Sequence, residues 1–126
     1  MSSSEKLRRA YDIIPKLLQD SIYSIDMILR LATIKITLRD GVKILIRYNN
    51  YSEYSYSIIL SSIEHDRVRF DNFDDRWNVA TRPHRFHPRY DKKGYASSMN
   101  GDPENDLPLL ISLLKSQKLI ETTFRI

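Results

Sequence analysis

The chain is predicted to adopt an α+β fold: an antiparallel β-meander of four or more strands, flanked by an N-terminal and a C-terminal helix. Three features predict it. Apolar residues near the N-terminus recur at helical spacing, those from Ile34 to Phe70 alternate with the period of a strand, and those after Leu107 return to helical spacing. With 126 residues, 41% of them hydrophobic and 29% charged, the composition suits one folded domain over residues 1–126 with a core of its own.

Taking the elements in order, Ser4 is a candidate cap for a first helix with Leu7, Tyr11, Ile14 and Leu18 on one stripe. Pro15 then either kinks that helix or begins a new turn. The stretch Ile25 to Leu31 alternates with Met27, Leu29 and Leu31 on one side. It reads as the start of a long strand bulged near Ala32-Thr33, or as a separate element. Ile34 to Arg39 alternates cleanly, Asp40-Gly41 offers a two-residue hairpin turn, and Lys43 to Tyr48 returns. Tyr54, Tyr56, Ile58 and Leu60 share one face of a further strand. Val68 and Phe70 point inward from the next, with Arg67, Arg69 and Asp71 facing the other way. From Asn72 to about Glu104 no periodicity survives, which predicts a long loop. A second helix is expected to open near Asn105-Asp106 with Leu107, Leu110, Ile111 and Leu114 buried, and Leu119 to Ile126 alternates as a final strand would.

Several function classes are excluded or made remote. The chain has no cysteine, hence no disulfide, thiolate metal site or cysteine nucleophile. No apolar run approaches the roughly 20 residues that span a bilayer. The start Met1-Ser2-Ser3-Ser4-Glu5-Lys6 lacks an apolar leader, so a cytoplasmic protein without membrane contact is expected. The net charge is +4, and it is unevenly placed. Arg82, Arg85, Arg89, Lys92 and Lys93 face Asp91 alone, so this short segment carries as much net charge as the whole chain. A basic stripe on a balanced body is the electrostatic footprint of a polyanion site, or a solvated loop.

The same stripe holds His84 and His87, between Pro83 and Pro88. Imidazole takes and gives protons near neutral pH, and arginine forks onto phosphate oxygens. Together they suit phosphodiester chemistry. Extended, two residues three apart point to opposite faces, so His84 and His87 share a side only if the segment turns.

Tyr54-Ser55-Tyr56, Val68-Arg69-Phe70-Asp71-Asn72 and Thr81-Arg82-Pro83-His84-Arg85-Phe86-His87, in that order and spacing, resemble the TumE toxin family. The resemblance covers roughly Ile25 to Leu114. It implies a toxin-like domain, the toxin half of a type II toxin–antitoxin pair, a cognate helix-turn-helix antitoxin as partner, and RNA as target. Family positions fall on Arg69, Asp71, Asn72, His84 and His87; Arg85 stands where the family has a middle histidine, and Asp74-Asp75-Arg76 replaces a Pro-His-His.

The resulting expectation is a small metal-independent ribonuclease, with His84 and His87 as general base and acid and Arg69 and Asp71 as their catalytic neighbours. Arg82, Arg85, Arg89, Asn72, Tyr54 and Tyr56 are candidate substrate contacts. No cofactor is expected, because a metal site built from His84, His87 and Asp71 would be short of donors. Each residue has a plainer reading as well. Arg69–Asp71 can be a surface ion pair, Asn72 a turn residue, Tyr54 and Tyr56 core aromatics, and His65 an exposed turn residue. Trp77 would pin the loop or meet the antitoxin. The alternative function is a non-catalytic nucleic-acid-binding or protein-interaction module that keeps the basic loop, and self-association as a homodimer stays open.

Overall fold

The computed structural model describes residues 1–73 and 79–126; Trp77 and the Asp74-Asp75-Arg76 segment lie outside them. The fold is α+β, with a seven-stranded sheet in which every strand pairs antiparallel with its sequence neighbours, between an N-terminal and a C-terminal helix. No helix among the described residues is long and apolar enough to cross a membrane.

Helix α1 runs Ser3–Leu18 and is capped by Ser2, not Ser4. Ser2 Oγ accepts the Glu5 N–H at 3.2 Å, and Glu5 lies three residues on, where its carboxylate can meet the cap. Ala10 takes the buried place expected for Tyr11, which is exposed. Pro15 does not end the helix. It sits on the exposed side, where water can serve the carbonyl its missing N–H leaves unbonded.

Strand β1 (Ile22–Ile28) is the separate element that the sequence allowed. It ends in a 3-10 turn at Leu29–Leu31 with left-handed Ala32 after it, which leaves Leu29 and Leu31 exposed. Strands β2 (Thr33–Leu38) and β3 (Lys43–Tyr48) form a hairpin whose turn is one residue longer than expected. Leu38 N–H bonds the Val42 carbonyl at 2.8 Å, so Arg39, Asp40 and Gly41 make a three-residue loop with Gly41 at φ +93°. Strands β4 (Tyr54–Ile59) and β5 (Arg67–Asp71) follow in the expected alternation.

The segment expected to be a structureless loop adds two short strands, β6 (Arg85–His87) and β7 (Tyr95–Ala96). Three residues and two are too few for a period to show, and only Phe86, stacked on Phe70 at 4.7 Å, marks β6 as inward-facing. Helix α2 (Pro103–Lys115) begins earlier than Asn105, because Asp102 caps it and Pro103 suits its first turn. The tail makes no strand: Lys118–Ile120 is a 3-10 turn, and Phe124 meets Phe86 edge-on at 5.9 Å.

Both helices cover one face of the sheet. Ile34, Ile46, Tyr56, Phe70 and Phe86 lie side by side from β2 to β6, and Ile36, Ile44, Ile58 and Val68 form a second buried row. Polar groups inside this core are paired. Tyr56 Oη donates to Asp106 Oδ2 at 2.7 Å and receives the Tyr48 hydroxyl at 3.0 Å. Asp106, wholly buried in the first turn of α2, also accepts the N–H groups of Asn100 and Gly101, which ties the preceding loop down. Gly101 has φ +89°, and a Cβ there would stand 2.9 Å from the Tyr54 ring.

Burial pushes the hydroxyls of Tyr48, Tyr54 and Tyr56 well above the usual tyrosine range; at Tyr56 the neighbouring Tyr48 and Asp106 add to it. An unfolded tyrosine ionises near pH ~10, so fold stability is lost as pH rises beyond that value. An alkaline titration followed by tyrosinate absorbance is expected to leave these three of the eight tyrosines un-ionised until the fold opens. A complete tyrosinate signal in the folded protein would contradict the buried network.

Candidate functional site

Register brings the site together. Arg69 of β5 lies opposite His87 of β6, and Asp71 opposite Arg85. Alternation sends all four away from the helices, on the side opposite Phe70 and Phe86. Asp71 is buried and is the hub. Arg69 Nε lies 2.5 Å from its Oδ2, Arg85 Nη2 3.1 Å from its Oδ1, and His87 Nε2 3.7 Å from Oδ2. The last distance is a close approach and not a hydrogen bond. Burial alone would raise the Asp71 carboxyl, but the nearby imidazole of His87 and the guanidiniums of Arg69 and Arg85 outweigh it and hold the group below the usual carboxylate range.

One carboxylate faces two guanidiniums, so the cluster keeps positive charge even with His87 neutral. The Arg85 side chain is 1% exposed, and its Nε and Nη1 have no hydrogen-bond partner among the described residues. Arg69 is the opposite case. It is 47% exposed and carries the charge of the buried cluster out to solvent.

Beside this cluster is an open cleft of about 190 Å³. Its charged and titratable lining is His65, Arg67, Arg69, His87, Asp91 and Lys92. Asp91 is already engaged, accepting the Lys93 N–H at 2.9 Å and the Tyr95 hydroxyl at 2.7 Å. The cleft therefore presents two imidazoles among three cations, a composition suited to an anion and to proton transfer.

The two expected histidines are not brought onto one face. His84, just before β6, shares a 2.9 Å hydrogen bond through Nδ1 with Tyr54 Oη and stacks on that ring, on the helix-facing side. His87 projects from the other side, as alternation along an extended segment requires. The imidazole that does share the cleft with His87 is His65. It sits in the β4–β5 turn with φ +65°, and its carbonyl accepts the Tyr90 N–H at 3.0 Å, which draws the segment after β6 against the turn.

Most of the expected substrate contacts have structural employment instead. Tyr54 and Tyr56 are wholly buried, so neither can stack on a base. Asn72 accepts the Tyr54 N–H at 2.9 Å and donates to the Ser52 carbonyl at 3.0 Å, locking the β3–β4 turn to the end of β5. Arg89 donates to buried Asp66 at 2.5 Å and to the Ile120 carbonyl at 3.0 Å. Arg85 is the buried partner of Asp71, and Arg82 is exposed on the turn before β6, where its N–H bonds the Val79 carbonyl at 3.1 Å. Among the described residues no three carboxylates or imidazoles gather as a metal site would need.

Arg67 was legible from strand alternation as an outward residue. Lys92 belonged to the basic stripe, but His65 had no local signal, because only the pairing of β5 with β6 brings the β4–β5 turn to the cleft. Comparison of the chain with protein-family models, curated proteins and solved structures finds no match.

Proposed function

We propose that this protein is an RNA-directed toxin of the kind it resembles, held in check by a helix-turn-helix antitoxin, and that its phosphodiester chemistry takes place in the β5–β6 cleft without a metal. The observation that carries this reading is the pairing of His87 and His65 in one cleft with Arg67 and Arg69, beside a buried Asp71. One imidazole takes the proton of a ribose 2′-hydroxyl, whose oxygen attacks the adjacent phosphorus. The P–O5′ bond breaks, and the other imidazole returns a proton to the departing oxygen, leaving a 2′,3′-cyclic phosphate and a 5′-hydroxyl. Arg69 and Arg67 hold the negative charge that grows on the phosphorane oxygens. Asp71 is a positioning group: its carboxylate lies against the His87 ring at Nε2.

The second reading, a binding module without turnover, is favoured by one observation: His84 lies on the helix-facing side, so the histidine pair of the resembled family is not assembled here. Purified protein incubated with RNA in the presence of chelator separates the two. Cleavage that is unchanged by chelator and passes through a maximum as pH is varied is the expected result. RNA retained intact would leave the binding module standing, and chelator-sensitive cleavage would move the chemistry to a metal. Growth arrest on expression, relieved by a co-expressed helix-turn-helix neighbour, tests the toxin role separately.

A further inference from the structure

Among the described residues both helices lie on one face of the sheet, and the other face is basic. Alternation points Lys35 outward from β2, Lys43 and Arg47 from β3, and Arg67 and Arg69 from β5. Between them β4 offers only Ser55, Ser57 and Ile59. Lys35, Leu45, Ser57 and Arg69 form one row across four strands, which then reaches His87 at the cleft. Lys43, Ile59 and Arg67 form the next row. With strands about 4.8 Å apart and about 3.4 Å of rise per residue, the cations cover roughly 14 Å across the sheet and roughly 14 Å along it. Lys35, Lys43, Arg47 and Arg67 make no ion pair among the described residues. The opposing charge is small: Asp26 stands across from Lys35 on β1, and Asp71 is buried beneath Arg69.

We propose that this open face binds the phosphate backbones of base-paired RNA and leads them into the cleft, an inference that rests on the reading of the cleft as an RNA site. Two features choose this ligand. Among the described residues the face carries no aromatic ring from β2 to β5, so unpaired bases find nothing there to stack on and phosphates are the groups it can recognise. The cations also spread in two directions, over an area wider than one backbone. A stem presents two backbones across a shallow groove, and proteins read it by shape and phosphate position. Binding is then indifferent to base sequence and steeply dependent on salt.

The test compares two triple variants by salt titration of a short synthetic RNA hairpin and of single-stranded poly-uridine of equal length. Lys35→Gln, Lys43→Gln and Arg47→Gln together remove the cations of the face that lie outside the cleft and leave Arg67 and Arg69 in place. Arg8→Gln, Lys16→Gln and Lys118→Gln remove the same charge from exposed positions on α1 and in the turn after α2. The face variant is expected to lower the slope of log affinity against log salt by about 2–3 with its circular dichroism unchanged, and the control to keep the wild-type slope. Wild-type protein is expected to bind poly-uridine about tenfold more weakly than the hairpin. If the face variant keeps the wild-type slope while RNA still binds, the platform is wrong and the cleft reading stands. Equal affinity for poly-uridine and hairpin overturns the base-paired class, and no RNA binding by the wild type overturns the cleft reading and the platform with it.

Discussion

His87→Ala is expected to slow RNA cleavage by about 10²–10⁴-fold while RNA affinity changes by no more than a few-fold. Proton transfer contributes only in the transition state, whereas affinity rests on the arginines and lysines that neutralise phosphate. His65→Ala is expected to fall in the same range, because it lines the same cleft. His84→Ala is the informative contrast. It loses the bond to Tyr54 and should cost stability, yet turnover per folded molecule should stay within about tenfold of the wild type. Single-turnover kinetics and binding measured on the same preparations decide between the histidine pairs. If His84→Ala abolished turnover and His65→Ala did not, the pairing drawn from the sequence would replace the one in the cleft.

Asp71→Ala is expected to destabilise the fold by about 3–5 kcal/mol, the range for removing one partner of a buried ion pair. The cost is concentrated on Arg85. That guanidinium is buried, already lacks partners for Nε and Nη1 among the described residues, and would lose its carboxylate. A loss of this size should lower the melting temperature by roughly 10–20 °C. Combining Asp71→Ala with Arg85→Met should recover most of it, since an apolar side chain leaves no buried charge behind. A double variant as unstable as the single one would place the cost elsewhere. The acid side follows from the same hub. Asp71 titrates below its unfolded range, as does Asp66, held by the hydrogen bond from Arg89 and helped by Ser61. Each therefore contributes fully above the ordinary carboxylate range near pH ~4, and the contribution is lost as pH falls through the lower folded value. Acid unfolding monitored by circular dichroism should begin below that range, and Asp71→Ala/Arg85→Met should blunt the pH dependence.

Much of this molecule was written in local pattern. The 2-residue period from Ile34 to Phe70 and the helical stripes around Ile14 and Leu110 determined which faces are buried, and hence the α+β class and the meander. They also determined that Arg67, Arg69 and Asp71 share the outward face, since alternation alone sets that. The separation of His84 from His87 was not among these: the sequence left open whether the segment turns, and only its extended course through β6 sends the two rings to opposite sides.

What pattern could not supply was pairing between distant segments. β6 is three residues long, so no period announces it, and its register against β5 is set by Phe86 packing on Phe70 and Arg85 finding Asp71. That register puts His87 beside Arg69 and Asp71, and the backbone bond from Tyr90 to His65 draws the β4–β5 turn to the same cleft. Burial of Arg85 was decided there too: in a basic segment it reads as a solvent-facing cation, and only the pairing of β6 with β5 sets it against Asp71 in the interior. Alternation is a property of neighbours along the chain and can be read from it. A site is a property of neighbours in space, and here one of the contacts that make it joins His65 to Tyr90, 25 positions apart in the chain.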